Sequence, residues 1–413
     1  VTGSTVRRSM WGIGVVVVAN VVALLTVVSP AHAGVVWDAT NLTTRTSAPA
    51  PVTNAYGSAA SYAFAFSTDM PGEGPAARIV YIAIDYSLIQ LKAVGTGPWR
   101  WTRLTAPGVL AVVPPHAYVS NLAGQDPTIR IMFLETNRNG YGFLTELSAQ
   151  GKSALGTESW TRTDLTAATM APHAYSRPFG FETQLPGEPQ MANIVYIDLE
   201  HRVQELSFYS GGWHITELDA GDGPGVPYAD GDPYAFVTDL PAQGPRLRVL
   251  FSRGDHLIEL SSPGVTWAAT DLTMAASAPP TLWGAYGIVY DGVVHVVYRT
   301  SGGATAEILT DGTVWKPSPI GPADGVTVPF PFTTNLSAEG PKTRIVYSDT
   351  DRQIIEYRLG TDRVWRRTNL TSLSGGPAAA LGPSGYTTTF AGEGPRARVV
   401  YFSADSVIEL RGS

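Results

Sequence analysis

No cysteine occurs in the 413 residues, which excludes disulfide staples, thiolate nucleophiles and cysteine-bound metal centres. Lysine is nearly as scarce, four against 24 arginines, and with Val1 standing where an initiating methionine would be, this bias fits a GTG start in a high-GC bacterium. Charged residues make up 15% of the chain and acids outnumber bases, so nucleic acid is excluded as a partner. Long hydrophobic runs are missing except for one, residues 11–28. Arg7 and Arg8 precede that run and Ala31-His32-Ala33 follows it, the three parts of a secretory leader. The expectation is a signal peptide over residues 1–33, removed by the general secretion route, and a secreted chain from residue 34 with no membrane partner after cleavage. The run has 18 residues, the lower limit for a span, so an uncleaved anchor is the competing reading. The mature chain carries 26 basic and 35 acidic residues, a net charge of −9.

Helical periodicity is absent from the mature chain; what fills it is a repeat. The first landmark is W-x-x-T-x-L-T, beginning at Trp37, Trp99, Trp160, Trp267 and Trp365, with degenerate copies at Trp213 and Trp315. The second is an R-[IV]-V-Y-like strand ending at Tyr81, Phe133, Tyr196, Phe251, Tyr298, Tyr347 and Tyr401. The third is a short apolar strand bearing Gln90, Glu146, Glu205, Glu259, Glu307, Glu356 or Glu409, spaced by 48 to 59 residues. An aromatic strand and a turn precede the second landmark, as at 66–75, 181–189, 236–245 and 332–341. Each unit thus supplies four short β-runs rich in β-branched and aromatic residues, separated by Gly, Pro, Asp and Ser turns.

Four antiparallel strands repeated seven times define an all-β, seven-bladed β-propeller rather than two or three domains. The mature chain starts on a tryptophan strand and ends on an acid strand, so its first strand can complete its last blade. Without that closure the last blade would expose an unpaired edge. The blades are expected near 53–105, 106–166, 167–219, 220–273, 274–320, 321–371 and 372–413, the last completed by 35–43.

At the second and third landmarks the chain resembles the propeller lectins that bind fucose and related sugars, and the seven copies favour the bacterial kind over the six-bladed fungal kind. His295-Val296-Val297-Tyr298 followed by Glu307 is similar to the H-V-V-Y…E-L unit of the bacterial lectins, and W-x-x-T-D-L-T at 160–166 and 267–273 resembles their tryptophan strand. In the fungal family an arginine on the second strand and a glutamate on the third grip sugar hydroxyls beside an aromatic. The resemblance carries that role to Arg248 with Glu259, Arg344 with Glu356, Arg398 with Glu409, and His295 with Glu307, and implies fucosylated or O-methylated glycans as partners. Blade 1 departs with Gln90 beside Arg78, blade 3 with Asn193 beside Glu205, and blade 2 by spacing Arg130 from Glu146 by 16 residues. The turn between the first two strands, Pro-Gly-Glu-Gly-Pro at 71–75 and its relatives, is longer than the resemblance implies and could cover or reshape the clefts.

The chemistry admits two readings. A sugar presents vicinal hydroxyls and an apolar C–H face, which a forked donor, a carboxylate and an aromatic ring can hold. The same arginine and glutamate on neighbouring strands would equally form a cross-strand ion pair that packs one blade on the next, and the tryptophans would then be packing residues. Glycan binding predicts pairs facing water; a protein-interaction scaffold predicts pairs buried and mutually satisfied.

Other constellations are weaker. Asp219, Asp222, Asp230 and Asp232 cluster before Tyr234 without calcium-loop spacing. The mature histidines, 116, 173, 201, 214, 256 and 295, show no zinc spacing, and no cofactor motif occurs. Asn41, Asn335 and Asn369 lie in N-x-[ST] sequons and read as plain surface amides. The inner strands at 62–66, 116–120, 328–332 and 385–390 hold no carboxylate, which leaves Glu182 and Asp232 for a hydrolase or lyase that would need two, and no G-x-S-x-G elbow is present. The chain therefore reads as non-catalytic, and nothing in it sets an oligomeric state.

Overall fold

Each repeat folds into an antiparallel sheet of four strands, and seven such sheets are formed. The computed structural model describes residues 35–53, 62–106, 108–136, 142–150, 158–218, 228–264 and 266–413; the leader segment and the acids Asp219 and Asp222 lie outside the described residues. Blade 1 runs Phe64–Met70, Gly74–Ile82, Leu88–Val94 and Arg100–Arg103 from the inside outward. Blade 6 repeats it with Phe330–Leu336, Gly340–Ser348, Ile354–Leu359 and Trp365–Asn369. Blade 2 adds a two-residue strand, Leu110–Ala111, beside its second strand. The inner strands touch one another in chain order and the seventh touches the first, so the sheets stand radially around an axis.

Closure is as the sequence implies. Blade 7 consists of Ser384–Phe390, Gly394–Ser403 and Ser406–Gly412, and its fourth strand is Trp37–Asn41, with Trp37 opposite Gly412 and Asn41 opposite Ile408. Apolar side chains form seven clusters, one at each blade interface. At the interface between blades 7 and 1, for example, Val400 and Phe402 meet Ala77, Ile79 and Tyr81. A middle strand is therefore covered on both faces, which is why 344–347, Arg-Ile-Val-Tyr, is buried without a break and the second landmark shows no polar alternation. The outer strand Arg100–Arg103, exposed throughout, is where the polarity goes.

The landmarks have local jobs. The tyrosine ending the second strand donates its hydroxyl to a carbonyl of the segment entering the blade, Tyr81 to Pro49 at 2.7 Å, Tyr298 to Pro279 at 3.0 Å and Tyr401 to Pro377 at 2.8 Å. The tryptophan strand leads into something its sequence does not announce by period. Four one-turn helices, Leu42–Thr46, Leu165–Thr169, Leu272–Ala276 and Leu370–Ser374, follow it, each capped by the preceding Asn41, Asp164, Asp271 or Asn369. Five residues cannot display a 3.6-residue period, but the Asp or Asn cap is a helix-start signal. Two of the sequon asparagines are thus capping residues. The leucine that opens each helix is fully buried, and the threonine after it accepts from an amide near the start of the third strand, as Thr371 does from Ile354 at 2.7 Å and Thr43 from Val407 at 2.8 Å.

Along the axis, one position on every inner strand builds a belt. Phe64, His116, Phe179, Tyr234, Tyr286 and Phe330 follow one another around the ring with centroid separations of 4.2, 4.0, 4.4, 5.0 and 5.2 Å, and Phe330 returns to Phe64 at 6.5 Å. Ser384 takes the seventh position and donates to the Ala63 carbonyl at 2.8 Å. His116 accepts from the Gly180 amide at 3.1 Å, and burial lowers its pKa to about 3, so it serves the belt as a neutral ring. Neighbouring positions are small where the adjoining blade is large: a Cβ on Gly287 would stand 2.1 Å from the Phe236 ring.

Because Trp37 is 5% exposed and packs against Val346, Ile354 and Leu370 of blade 6, Trp37→Ala should lower stability by about 3–5 kcal/mol. Deleting residues 37–43 should do more, since it also removes Leu42 and opens an edge. Urea unfolding of both variants checks this, and an unchanged midpoint for the deletion would overturn closure by this strand.

Candidate functional site

The residue two beyond the second-strand arginine lies opposite the third-strand acid: Leu250 faces Glu259, Val346 faces Glu356 and Val400 faces Glu409. Arg248, Arg344 and Arg398 therefore share a face with these acids on the diagonal, within reach of long side chains. Blade 2 obeys the same rule, with Met132 facing Glu146. Its 16-residue spacing comes from longer strands, which run four ladder pairs past Met132 and Glu146 where blade 6 runs two past Val346 and Glu356, and the register is unchanged.

Each predicted pair is formed, and each is closed over. Arg344 donates from Nε to Thr334 at 2.9 Å, from Nη1 to Glu356 and from Nη2 to Glu339. Arg398 repeats this with Thr388 at 2.7 Å, Glu409 at 2.9 Å and Glu393 at 3.2 Å. Arg248 does so with Thr238 at 2.9 Å, Glu259 and Gln243, and Arg78 with Thr68 at 2.9 Å, Gln90 at 3.0 Å and Glu73. The third partner always comes from the turn between the first two strands. Glycines on both sides of Glu393, at φ 83° and 74°, take the left-handed backbone that folds this acid back over the blade. Arg248 and Arg344 are 1% exposed and Arg398 4%. In this setting burial raises the Glu259 pKa, outweighing the opposing pull of Arg248, which is the desolvation cost of an interior ion pair. Glu307 is closed differently: His295 Nδ1 stands 2.8 Å from one oxygen, and Trp365 of blade 6 donates to the other at 3.0 Å. That blade's hairpin turns on Asp291 and Gly292 alone, too short to supply a covering acid.

Two blades break the pattern. In blade 3 the arginine is replaced by Asn193, which donates to Thr183 at 2.7 Å and leaves its buried Oδ1 without a partner among the described residues. Glu205 keeps its register opposite Val195. With no cation beside it, burial first and Glu188 second push its carboxyl up to about 7. In blade 2, Arg130 donates to Ser120 at 2.8 Å and Glu146 at 2.5 Å. Its guanidinium carbon lies 4.9 Å from the Phe208 ring centre and 5.5 Å from that of Trp213, both on blade 3. The turn residue here, Gln125, is exposed rather than folded inward. It lines, with Arg130, Glu146, Phe208 and Trp213, a cleft of about 700 Å³.

A Glu or Gln five residues before the arginine and a Thr or Ser ten before it recur in all five arginine-bearing blades, including blade 2 with Gln125 and Ser120; what sets the covered clefts apart is the glycine that follows the turn residue at 74, 244, 340 and 394, where blade 2 has Asp126. Of the acid cluster, Asp230 and Asp232 open the inner strand of blade 4, and no group of three or more metal-ligating side chains occurs among the described residues.

No protein-family model matches the chain and no curated protein sequence is similar to it. Solved structures are. AofleA from Arthrobotrys oligospora is 17% identical with a TM-score of 0.50, over 81% of this chain and 90% of that one. The lectin BP39L from Burkholderia pseudomallei is 14% identical with a TM-score of 0.56, over 73% of this chain and 82% of that one. A fucose-specific lectin from Aleuria aurantia is 13% identical with a TM-score of 0.48, over 77% and 97%. At these identities the likeness to AofleA and BP39L is one of fold alone, and the seven radial sheets make the chain a β-propeller.

The unpaired acid of blade 3 has a pH signature. With a folded pKa near 7 against roughly 4.3 unfolded, the folded state holds the extra proton across that window, so stability from this group is full below about pH 4 and is lost as pH rises through 7. The loss should reach on the order of 3 kcal/mol. Glu205→Gln, or Asn193→Arg to restore the cation, should flatten the urea-unfolding free energy between about pH 5 and 8 relative to the parent; an undiminished slope in Glu205→Gln would refute this account.

Proposed function

We propose that this chain is a secreted, non-catalytic glycan-binding propeller whose working site is the cleft between blades 2 and 3. The observation that carries the reading is the outward Gln125. In blades 1, 4, 6 and 7 the turn side chain occupies the outer edge of the guanidinium, whereas here Arg130 and Glu146, 5% and 3% exposed, lie with two aromatic rings on the wall of a cleft of about 700 Å³. Glu146 and Arg130 supply the acceptor and donor for adjacent hydroxyls, and Trp213 and Phe208 the plate for an apolar sugar face. Fucosylated and O-methylated glycans, with a methyl group beside hydroxyls, suit that combination, and the fold shared with the lectin BP39L supports it. Secretion rests on the leader pattern of residues 1–33.

Arg248, Arg344 and Arg398 with their acids, and His295 with Glu307, could receive a sugar only if the covering side chain swung away. We assign them to blade packing, so their interfaces behave as the scaffold reading requires. A glycan array with the purified protein, followed by titration of the best sugar, tests both assignments. Arg130→Ala or Trp213→Ala should weaken binding roughly 10- to 100-fold, while Arg344→Ala should lower the melting temperature and leave affinity within about twofold. If no glycan binds at millimolar concentration, sugar recognition fails and a protein-interaction scaffold takes its place.

A further inference from the structure

Above the aromatic belt, at the end of the axis where the inner strands begin, lies a second cavity of about 740 Å³. Blades 3, 4 and 5 form most of its wall, Val113 and Pro114 reach it from blade 2 and Val328 from blade 6, and Tyr234 and Tyr286 of the belt border it. The residue two before the belt in each blade is, around the ring, Tyr62, Pro114, Arg177, Asp232, Gly284, Val328 and Gly382. One blade alone places a cation there, and its neighbour an acid.

Arg177 is 4% exposed. Its guanidinium carbon stands 4.5 Å from the Tyr62 ring centre, and Nη2 donates to the Tyr286 hydroxyl at 3.1 Å. Asp232 accepts from the Arg177 backbone amide at 2.9 Å, but its other oxygen stops 3.8 Å from Nε. The buried Nε–H therefore has no acceptor among the described residues, an arrangement that interiors avoid.

The backbone around this cavity is distorted on the same two strands. The registers of the inner strands of blades 4 and 5 both shift, between Asp230 and Tyr234 and between Thr281 and Ala285. The second bulge carries Trp283 at φ 69°, a left-handed conformation costly for a bulky side chain. Thr281 donates to the Trp283 carbonyl at 3.0 Å, and a Cβ on Gly284 would stand 2.9 Å from the Asp232 carbonyl, so the bulge is held in place. Its product is an indole 49% exposed on the cavity wall, with Tyr175, 53% exposed, also lining it.

We propose that this cavity binds a neutral sugar ring, independently of the cleft between blades 2 and 3. Trp283 offers a plate for the C–H face, Arg177 Nε a donor for one hydroxyl oxygen, and the half-exposed carboxylates of Asp230 and Asp232 accept from others. Two carboxylates against one guanidinium disfavour an acidic sugar, and the volume lies in the range of small-ligand sites. The bulges are the means by which the ring makes the sectors of blades 4 and 5 unlike the other five.

The test uses protein labelled with 5-fluorotryptophan, in which Trp283→Phe assigns the Trp283 fluorine signal and Trp213→Ala silences the cleft. Neutral methyl glycosides (fucoside, galactoside, mannoside and glucoside) and a methyl glucuronide are titrated to about 20 mM. The expected result is a saturable shift of the Trp283 signal with at least one neutral glycoside in the Trp213→Ala background. Asp232→Asn and Arg177→Met should weaken it roughly tenfold, with melting temperature confirming that each variant folds. No shift with any neutral glycoside, or tighter binding of the glucuronide, overturns the proposal. Binding that disappears in Trp213→Ala and survives in Trp283→Ala overturns it while leaving the cleft intact; the reverse pattern upholds it and removes the cleft.

Discussion

A guanidinium buried between two sheets must find acceptors for its donors or be expelled, and the architecture of five of the seven blades answers to that demand. Arginine brings five N–H donors in a rigid plane and cannot discard its charge. In blades 1, 4, 6 and 7 the three edges of that plane are met by a threonine of the first strand, an acid or amide of the third strand, and an acid or amide of the turn. One side chain on the second strand thereby fixes the register of both its neighbours and the fold of the hairpin above them. Removing an acceptor from such a network leaves a charge buried and unpaired, the expensive outcome for an interior ion pair.

The same constellation, less one member, is a sugar site. A hydroxyl pair makes the demands on arginine and glutamate that the turn carboxylate otherwise meets, so whether a cleft is a strut or a receptor depends on where one turn side chain points. Gln125, exposed while Glu73, Gln243, Glu339 and Glu393 are turned in, makes that difference in blade 2. The residue at that position is also neutral, and an amide is less strongly drawn to a guanidinium than a carboxylate is. Gln243 shows that neutrality alone does not expose the residue; the sequence at 121–127, with no glycine after the glutamine and Asp126-Pro127 in its place, alters the return path of the hairpin.

Blade number, strand order and closure were legible because each follows from counting landmarks and from the phase in which the chain enters and leaves the repeat. The pairs were legible as pairs, since the arginine and the acid keep a fixed register. Whether they face water was not, because that depends on the turn residue, which lies in a segment whose length the sequence shows and whose fold it does not. Spacing misled in blade 2 because its second and third strands pair for two rungs more than those of blade 6 before turning, which adds four residues between Arg130 and Glu146 without changing the register that sets their contact. The capped helices were written in the Asn and Asp of the tryptophan motif, but as a local cap signal too short to compete with the strand pattern around it. Arg177 escaped notice because its oddness appears only when the position two before the belt is compared around the ring.

Departures from the repeat are not scattered evenly. Asn193 and Arg177 fall in blade 3, the bulge at Asp230 in blade 4, and the bulge at Trp283 and the substitution of His295 in blade 5. A closed ring tolerates such clustering because its stability is shared among seven interfaces, so weakening two or three leaves the others to hold the inner strands in place. The belt makes this sharing physical: each ring from Phe64 to Phe330 is wedged between neighbours, and a displaced strand in blade 4 or 5 is still pinned by Tyr234 or Tyr286. The fold can therefore carry a strained backbone and an unsatisfied Arg177 donor on one side of its axis while keeping its symmetry beneath them. Strain and an unmet hydrogen bond held together at one mouth, on a floor that does not need either, is the arrangement expected where the missing partner is a ligand.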